Sequence, residues 1–202
     1  MQPTEPNASN PQSSAFPIRI ALTTAAIAVL ALIAVWLALA PKGANPSLVG
    51  GPFALKDGAG KTVTEQTLRG RPFLVYFGYT HCPDVCPTEL AHISDILAAM
   101  GDNAVPALFI TVDPERDTPK VLADYVANFA PDLEGLTGPP EAIQSVEREY
   151  HVYAKKHPEP DGSYSMDHSS IVYLMDRDGR FRSLLSGELT AAQIDDALRK
   201  LL

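Results

Sequence analysis

Two nearly uninterrupted apolar runs, Pro72-Phe-Leu-Val-Tyr-Phe77 and Ala107-Leu-Phe-Ile-Thr-Val112, stand out along the chain. They are rich in β-branched and aromatic residues, which suits strands covered on both faces of a sheet. Between them, Leu90, Ile93, Leu97 and Met100 recur at helical spacing, with Pro87 suited to a first helical position and Gly101 to the residue past the end. A strand, a helix and a strand in one sheet imply a parallel pair with a right-handed crossover. Thr118-Pro119 then reads as an N-cap and first position of a second helix, with Leu122, Tyr125, Val126 and Phe129 on its apolar face and Pro131 ending it. A third helix is expected near Glu141 to Tyr150, where Ile143, Val146 and Tyr150 fall in step.

The flanking segments complete the pattern. Phe53-Ala-Leu55 and Lys61-Thr-Val63 surround the turn residues Asp57-Gly58-Ala59-Gly60 and predict a hairpin. A polar loop from His157 to Asp167 leads into the strand Ser170 to Met175, and Asp176-Arg-Asp-Gly179 turns the chain into Arg180 to Leu184. Thr190 caps a final helix through Ile194, Leu198 and Leu201. This order, a parallel core closed by an antiparallel hairpin, predicts an α/β protein of thioredoxin-like fold, a central mixed sheet flanked by helices.

The N-terminal segment follows a different rule. Met1 to Pro17 is rich in Pro, Asn, Ser and Gln and reads as a disordered tail (residues 1–17). Ile20 to Ala40 carries no charge, and at about 1.5 Å per residue it crosses a hydrocarbon core of roughly 30 Å. The segment 18–41 is therefore read as an N-terminal transmembrane helix, 42–50 as a linker and 51–202 as the globular domain. A cleaved signal peptide is the rival, since Ala38-Leu39-Ala40 resembles a cleavage site, but its apolar region usually runs only about 7–15 residues. Arg19 and Lys42 flank the helix one on each side, so charge does not orient it. The net charge of −8 and the absence of basic runs argue against nucleic acid as a partner.

Both cysteines of the chain lie in Tyr79-Thr-His-Cys-Pro-Asp-Val-Cys-Pro87, where the first core strand hands over to a helix. Two cysteines alone are no disulfide scaffold. At a helix N-terminus the partial positive charge favours thiolate, so both sulfurs are expected to be more acidic than free cysteine. Pro83 and Pro87 are expected to keep the intervening segment irregular, and such a loop can bring Cys82 and Cys86 together either as a redox-active disulfide pair or as two ligands of one ion. A structural disulfide or two inert thiols is the plainer alternative.

His168, in Met166-Asp-His-Ser-Ser170, immediately precedes the penultimate strand. In thioredoxin-like folds the loop entering that strand faces the cysteine loop, which makes His168 the candidate third ligand. His92, His151 and His157 read as ordinary solvated or hydrogen-bonded side chains, His81 as pointing elsewhere, and Met166 as packing. Two thiolates and one imidazole suit copper, as three-coordinate Cu(I) or as a blue-copper-like Cu(II) site. Zinc usually takes a fourth ligand.

The run Tyr76 to Pro87, together with Thr111-Val-Asp-Pro-Glu-Arg-Asp-Thr-Pro119 and Asp167-His-Ser169, resembles the Sco/SenC family of membrane-anchored copper-binding proteins, and the likeness extends from about Phe53 to the C-terminus. The resemblance implies that Cys82, Cys86 and His168 bind copper and that the protein helps assemble the dinuclear copper centre of cytochrome c oxidase. It implies as partners the copper-bearing oxidase subunit, other periplasmic copper chaperones and thiol-disulfide oxidoreductases, with the domain in a bacterial periplasm or a mitochondrial intermembrane space. Some relatives are thought to act as thiol-disulfide reductants, which gives a second functional reading that needs only Cys82 and Cys86. A thiol peroxidase is a weaker third, since its attacking cysteine would be expected in a different motif. Asp113 can be read as a partner that orients a ligand or tunes thiolate acidity, or the Asp113 to Pro119 stretch as a turn and helix cap, with Asp117 or Thr118 capping and Arg116 in a surface ion pair.

Overall fold

A computed structural model describes residues 49–185, together with 29–31 and 193. The chain divides into two units, Met1–Ala44 and Asn45–Leu202. Of the first, Val29, Leu30 and Ala31 are described, and they are helical. The expected tail, the rest of the transmembrane segment, most of the linker and nearly all of the final helix lie outside the described residues. Among the described residues no helix is long and apolar enough to cross a membrane.

In the second unit, β1 (Ala54–Lys56) and β2 (Thr62–Thr64) form the expected hairpin. The central sheet contains β3 (Phe73–Gly78), β4 (Ala107–Thr111), β5 (Leu133–Leu136), β8 (Val172–Met175) and β9 (Phe181–Leu185), in the order β5-β4-β3-β8-β9. Strand β3 runs parallel to β4, which runs parallel to β5, whereas β8 is antiparallel to β3 and to β9. This is the mixed sheet anticipated from the apolar runs. Every residue of β3 and β4 is buried, as a central strand covered on both faces requires.

Strand β5 has no counterpart in the sequence reading. It is a four-residue edge strand, Leu-Glu-Gly-Leu, too short to show a period. Its glycine is packed over by the second helix: a Cβ on Gly135 would sit 3.0 Å from Leu122 Cβ. The polar loop expected from His157 to Asp167 is also corrected. It belongs to a separate hairpin, β6 (Ala154–Pro158) with β7 (Tyr164–His168), of which β6 is mostly exposed and β7 mostly half-buried.

Helix α1 (Val85–Met100) begins two residues earlier than the proline suggested. The segment is irregular only as far as Asp84, and Cys86 lies inside the first helical turn. Pro87 is tolerated as the third helical residue because first-turn N–H groups have no intrahelical acceptor to lose. Helix α2 (Pro119–Val126) starts as expected, with the Thr118 side chain accepting from Val121 N, but ends five residues before Pro131. Helix α3 (Pro140–Glu149) matches its expected place.

Alternation along β3 divides the core. Phe77 packs against Tyr150 and Tyr173 on one face, while Tyr76 stacks on Phe109, which meets Tyr125 of α2, on the other. Gly78 shares the face of Tyr76 and approaches the first turn of α1. The cysteine loop is thus carried at the C-terminal end of the central strand.

Candidate metal centre

The chain leaves β3 at Gly78 and turns through Tyr79 to Asp84, with Cys82 N–H donating to Tyr79 O at 3.2 Å. The turn lays the Cys82 sulfur over the start of α1, where Cys86 N–H donates to Cys82 Sγ at 3.3 Å. Asp84 makes no side-chain cap, so the sulfur satisfies a first-turn donor that otherwise lacks an intrahelical acceptor. Cys86 is fully buried, and Cys82 is half-buried. Gly78 makes room for the buried sulfur: a Cβ there would lie 2.7 Å from Cys86 Sγ and 2.7 Å from Phe109 Cε2.

His168 arrives at the end of β7, 82 residues further along the chain from Cys86, and places Nε2 3.3 Å from Cys86 Sγ. Its Nδ1 lies 3.1 Å from Ser169 O. A carbonyl only accepts, so the proton sits on Nδ1 and the lone pair of Nε2 faces the sulfur. Ser169 is itself held by Tyr153, whose carbonyl accepts from Ser169 N at 3.0 Å and whose N–H donates to Ser169 Oγ at 3.1 Å. The imidazole is gripped edge-on by Tyr79 and Tyr76, with ring centroids 5.8 and 6.4 Å away. The ligand atoms of Cys82, Cys86 and His168 all lie within 4.8 Å of one another.

Burial dominates the electrostatics. It holds His168 below the ordinary histidine range, which keeps the imidazole neutral and available as a ligand. It pushes the Cys86 thiol up to about 12, with the neighbouring Cys82 adding to the effect. For Cys86 this overturns the expected acidity, because desolvation outweighs the helix N-terminus. Burial likewise pushes up the hydroxyls of Tyr76 and Tyr79, so neither is an anionic competitor for a cation.

The other candidates are placed elsewhere. His81 is exposed, with Nδ1 3.1 Å from Thr80 Oγ1. His92 lies beside Glu89, and His157 pairs with Asp167 at 2.6 Å. Met166 packs against the core. Asp117 is no helix cap but a fully buried acceptor for Thr80 and Thr111, and Asp113 is buried against Arg116 and Tyr164. Sequence reasoning missed Gly78, Thr80 and Tyr164. Only the glycine, standing where a strand meets the cysteine loop, gave a signal.

A thioredoxin-like domain with two sulfurs and one imidazole converging at the end of its central strand defines a class of proteins whose donor set suits a thiophilic metal ion. The chain belongs to the SCO1/SenC family, whose pattern matches residues 41–202. It is 46% identical over 141 residues to the mitochondrial protein SCO1 homolog 1 of Arabidopsis thaliana, a match that covers 68% of this chain and 42% of that protein. The chain spans about half the length of the first curated relatives it matches, 42% and 58%. Among solved structures, copper-bound ScoI of Bradyrhizobium japonicum has 52% identity and a TM-score of 0.73, covering 76% of this chain and 99% of that one. BsSco, a member of the Sco family of cytochrome c oxidase assembly proteins in which a disulfide switch was identified, has 27% identity and a TM-score of 0.64, covering 78% and 96%.

Proposed function

We propose that this protein is a copper metallochaperone that binds one copper ion through Cys82, Cys86 and His168 and passes it to the copper-bearing subunit of cytochrome c oxidase during assembly of the dinuclear centre. The observation that carries the reading is the convergence of the three ligand atoms within 4.8 Å, with Nε2 free of its proton and directed at a sulfur. The donor set is soft to borderline and suits Cu(I) and Cu(II). Likeness to copper-bound ScoI and to a cytochrome c oxidase assembly protein supports the same reading. Three ligands at a surface loop, one of them the half-buried Cys82, leave a face by which an incoming partner ligand reaches the ion, so transfer proceeds by stepwise ligand exchange. A closed four-ligand cage would block this.

The chain organisation follows from the role. Residues 1–17 form a tail on the cytoplasmic or matrix side, 18–41 a single-pass anchor, 42–50 a linker, and 51–202 the copper-binding domain in the periplasm or intermembrane space. A tether raises the effective concentration of donor near a membrane-bound acceptor.

The test is metal analysis of the full-length chain after anaerobic loading. One copper per chain is expected, lost on Cys82→Ala or Cys86→Ala and strongly weakened on His168→Ala. Unchanged tight binding in the His168 variant refutes the three-ligand centre. For topology, a reporter active only outside the cytoplasm should give signal when fused after residue 50, and the reverse pattern refutes the placement.

A second reading, a thiol-disulfide oxidoreductase acting on partner cysteines, is favoured by the unequal burial of the pair. Half-buried Cys82 is reachable by a partner disulfide, while buried Cys86 lies close enough to resolve the mixed disulfide once it has lost its proton. In that exchange the partner disulfide gains two electrons and becomes two thiols, and Cys82 and Cys86 become a disulfide. His168→Ala leaves this activity nearly intact, which separates it from copper transfer.

A further inference from the structure

The two halves of the centre are joined by a short segment that supplies none of its three donors. Thr111 to Asp117, the end of β4 and the turn before α2, contains three fully or almost fully buried polar side chains, Thr111, Asp113 and Asp117. Asp117 reaches the cysteine loop. Its Oδ2 accepts from Thr80 N at 3.0 Å and its Oδ1 from Thr80 Oγ1 at 2.6 Å, two residues before Cys82. Asp113 and Arg116 reach the histidine hairpin. Asp113 Oδ1 accepts from Tyr164 OH at 2.9 Å, Arg116 Nη1 donates to Tyr164 O at 3.0 Å, and the guanidinium lies 3.7 Å from the Tyr164 ring centroid while pairing with Asp113. Tyr164 opens β7, the strand that His168 closes. Thr111 couples the two arms, since its Oγ1 donates to Asp117 Oδ2 at 2.6 Å and accepts from Asp113 N at 2.9 Å.

We infer that this segment is the positioning clamp of the centre: Asp117 sets the cysteine loop, and Asp113 with Arg116 sets the height of His168 through Tyr164. The hairpin needs such a clamp because, among the described residues, β6 and β7 pair only with each other, so the hydrogen bonds of the central sheet do not fix them. The cysteine loop needs one because Cys82 lies in an irregular turn between strand and helix. Groups that orient metal ligands in this way typically change metal affinity by about 10- to 100-fold when removed.

The inference rests on the copper reading, and its test is built so that the two fail separately. Asp117→Asn keeps the shape of the side chain but cannot accept from both Thr80 donors. Tyr164→Phe removes only the hydroxyl that Asp113 receives. Each is placed in the full-length chain with His168 intact and with His168→Ala. Cu(I) affinity is measured by chelator competition, the Cu(II) form by its sulfur-to-copper absorption band and nitrogen hyperfine coupling, and the metal-free chain by its thermal midpoint. Asp117→Asn should lower affinity about 10- to 100-fold in both backgrounds and shift the absorption band, because it acts through the sulfurs. Tyr164→Phe should lower affinity and alter the hyperfine coupling only where His168 is present. Equal losses for Tyr164→Phe in both backgrounds, or thermal shifts with unchanged affinity and spectra, overturn the clamp. Should Asp117→Asn fail to fold, Thr80→Val tests the same arm by deleting one donor. Failure of the unsubstituted chain to bind copper would instead refute the proposed function.

Discussion

Gly78→Ala is the sharpest packing test of the centre, because the added methyl has nowhere to go. A Cβ at this position would lie 2.7 Å from Cys86 Sγ and 2.7 Å from Phe109 Cε2, whereas non-bonded carbon contacts are optimal at about 3.5–4.0 Å. The sulfur and the ring must therefore retreat by roughly 1 Å. Both are fully buried. Overpacking of this kind destabilises by about 1–3 kcal/mol, which for a domain of this size lowers Tm by roughly 2–12 °C. Metal sites hold their ligand distances to about ±0.2 Å, so a sulfur displaced by five times that margin is lost to the centre, and Cu(I) affinity should fall at least tenfold. Thermal unfolding of the metal-free chain and chelator competition measure the two effects. A variant with unchanged Tm and full copper affinity would show that the close approach of β3 to α1 does not set the position of Cys86.

Three further outcomes follow from the electrostatics. Since burial holds Cys86 as a thiol near neutral pH, copper binding at pH 7 should release at least one proton per ion, read by titration calorimetry in buffers of different ionisation enthalpy, and no release would contradict the assignment. Burial depresses His168 relative to the unfolded chain, so the unfolded state binds more protons. Stability contributed at neutral pH should therefore fall as pH drops below about 6.5, and His168→Gln should remove this slope. A slope that persists in the variant would place it on another group. Asp167, 59% exposed and paired with His157, should be dispensable: Asp167→Asn is expected to change stability by less than about 1 kcal/mol and leave the copper spectrum unaltered, whereas a shifted spectrum would make it a fourth ligand.

Much of the architecture was legible because the central strands are continuous apolar runs and α2 carries its own N-cap, Thr118, and first-position proline. The Cys82, Cys86 and His168 grouping was legible from the strand-to-helix position of the cysteines and the place of the histidine before β8. The hairpin β6–β7 was not, because β6 is mostly lysine, histidine and proline and β7 offers only Tyr164 and Met166 on its apolar face, a stripe too short to read. The Asp161-Gly162 pair, with φ of 85° at the glycine, was a local turn signal. The acidity expected of Cys86 failed because its depth is set by tertiary packing around Gly78, and burial outweighs proximity to a helix end. The roles of Asp113 and Asp117 stayed open for the same reason. Their partners, Tyr164 and Thr80, lie 51 and 37 residues away in sequence.

In the proposed centre one copper ion is held by two sulfurs and one imidazole. X-ray absorption at the copper edge of the Cu(I)-loaded full-length chain measures this directly. A shell of two sulfurs and one nitrogen is expected, with the outer-ring scattering of a single imidazole that disappears in His168→Ala. A shell of sulfur alone in the unsubstituted chain, or an imidazole signal that survives the His168 substitution, would contradict it.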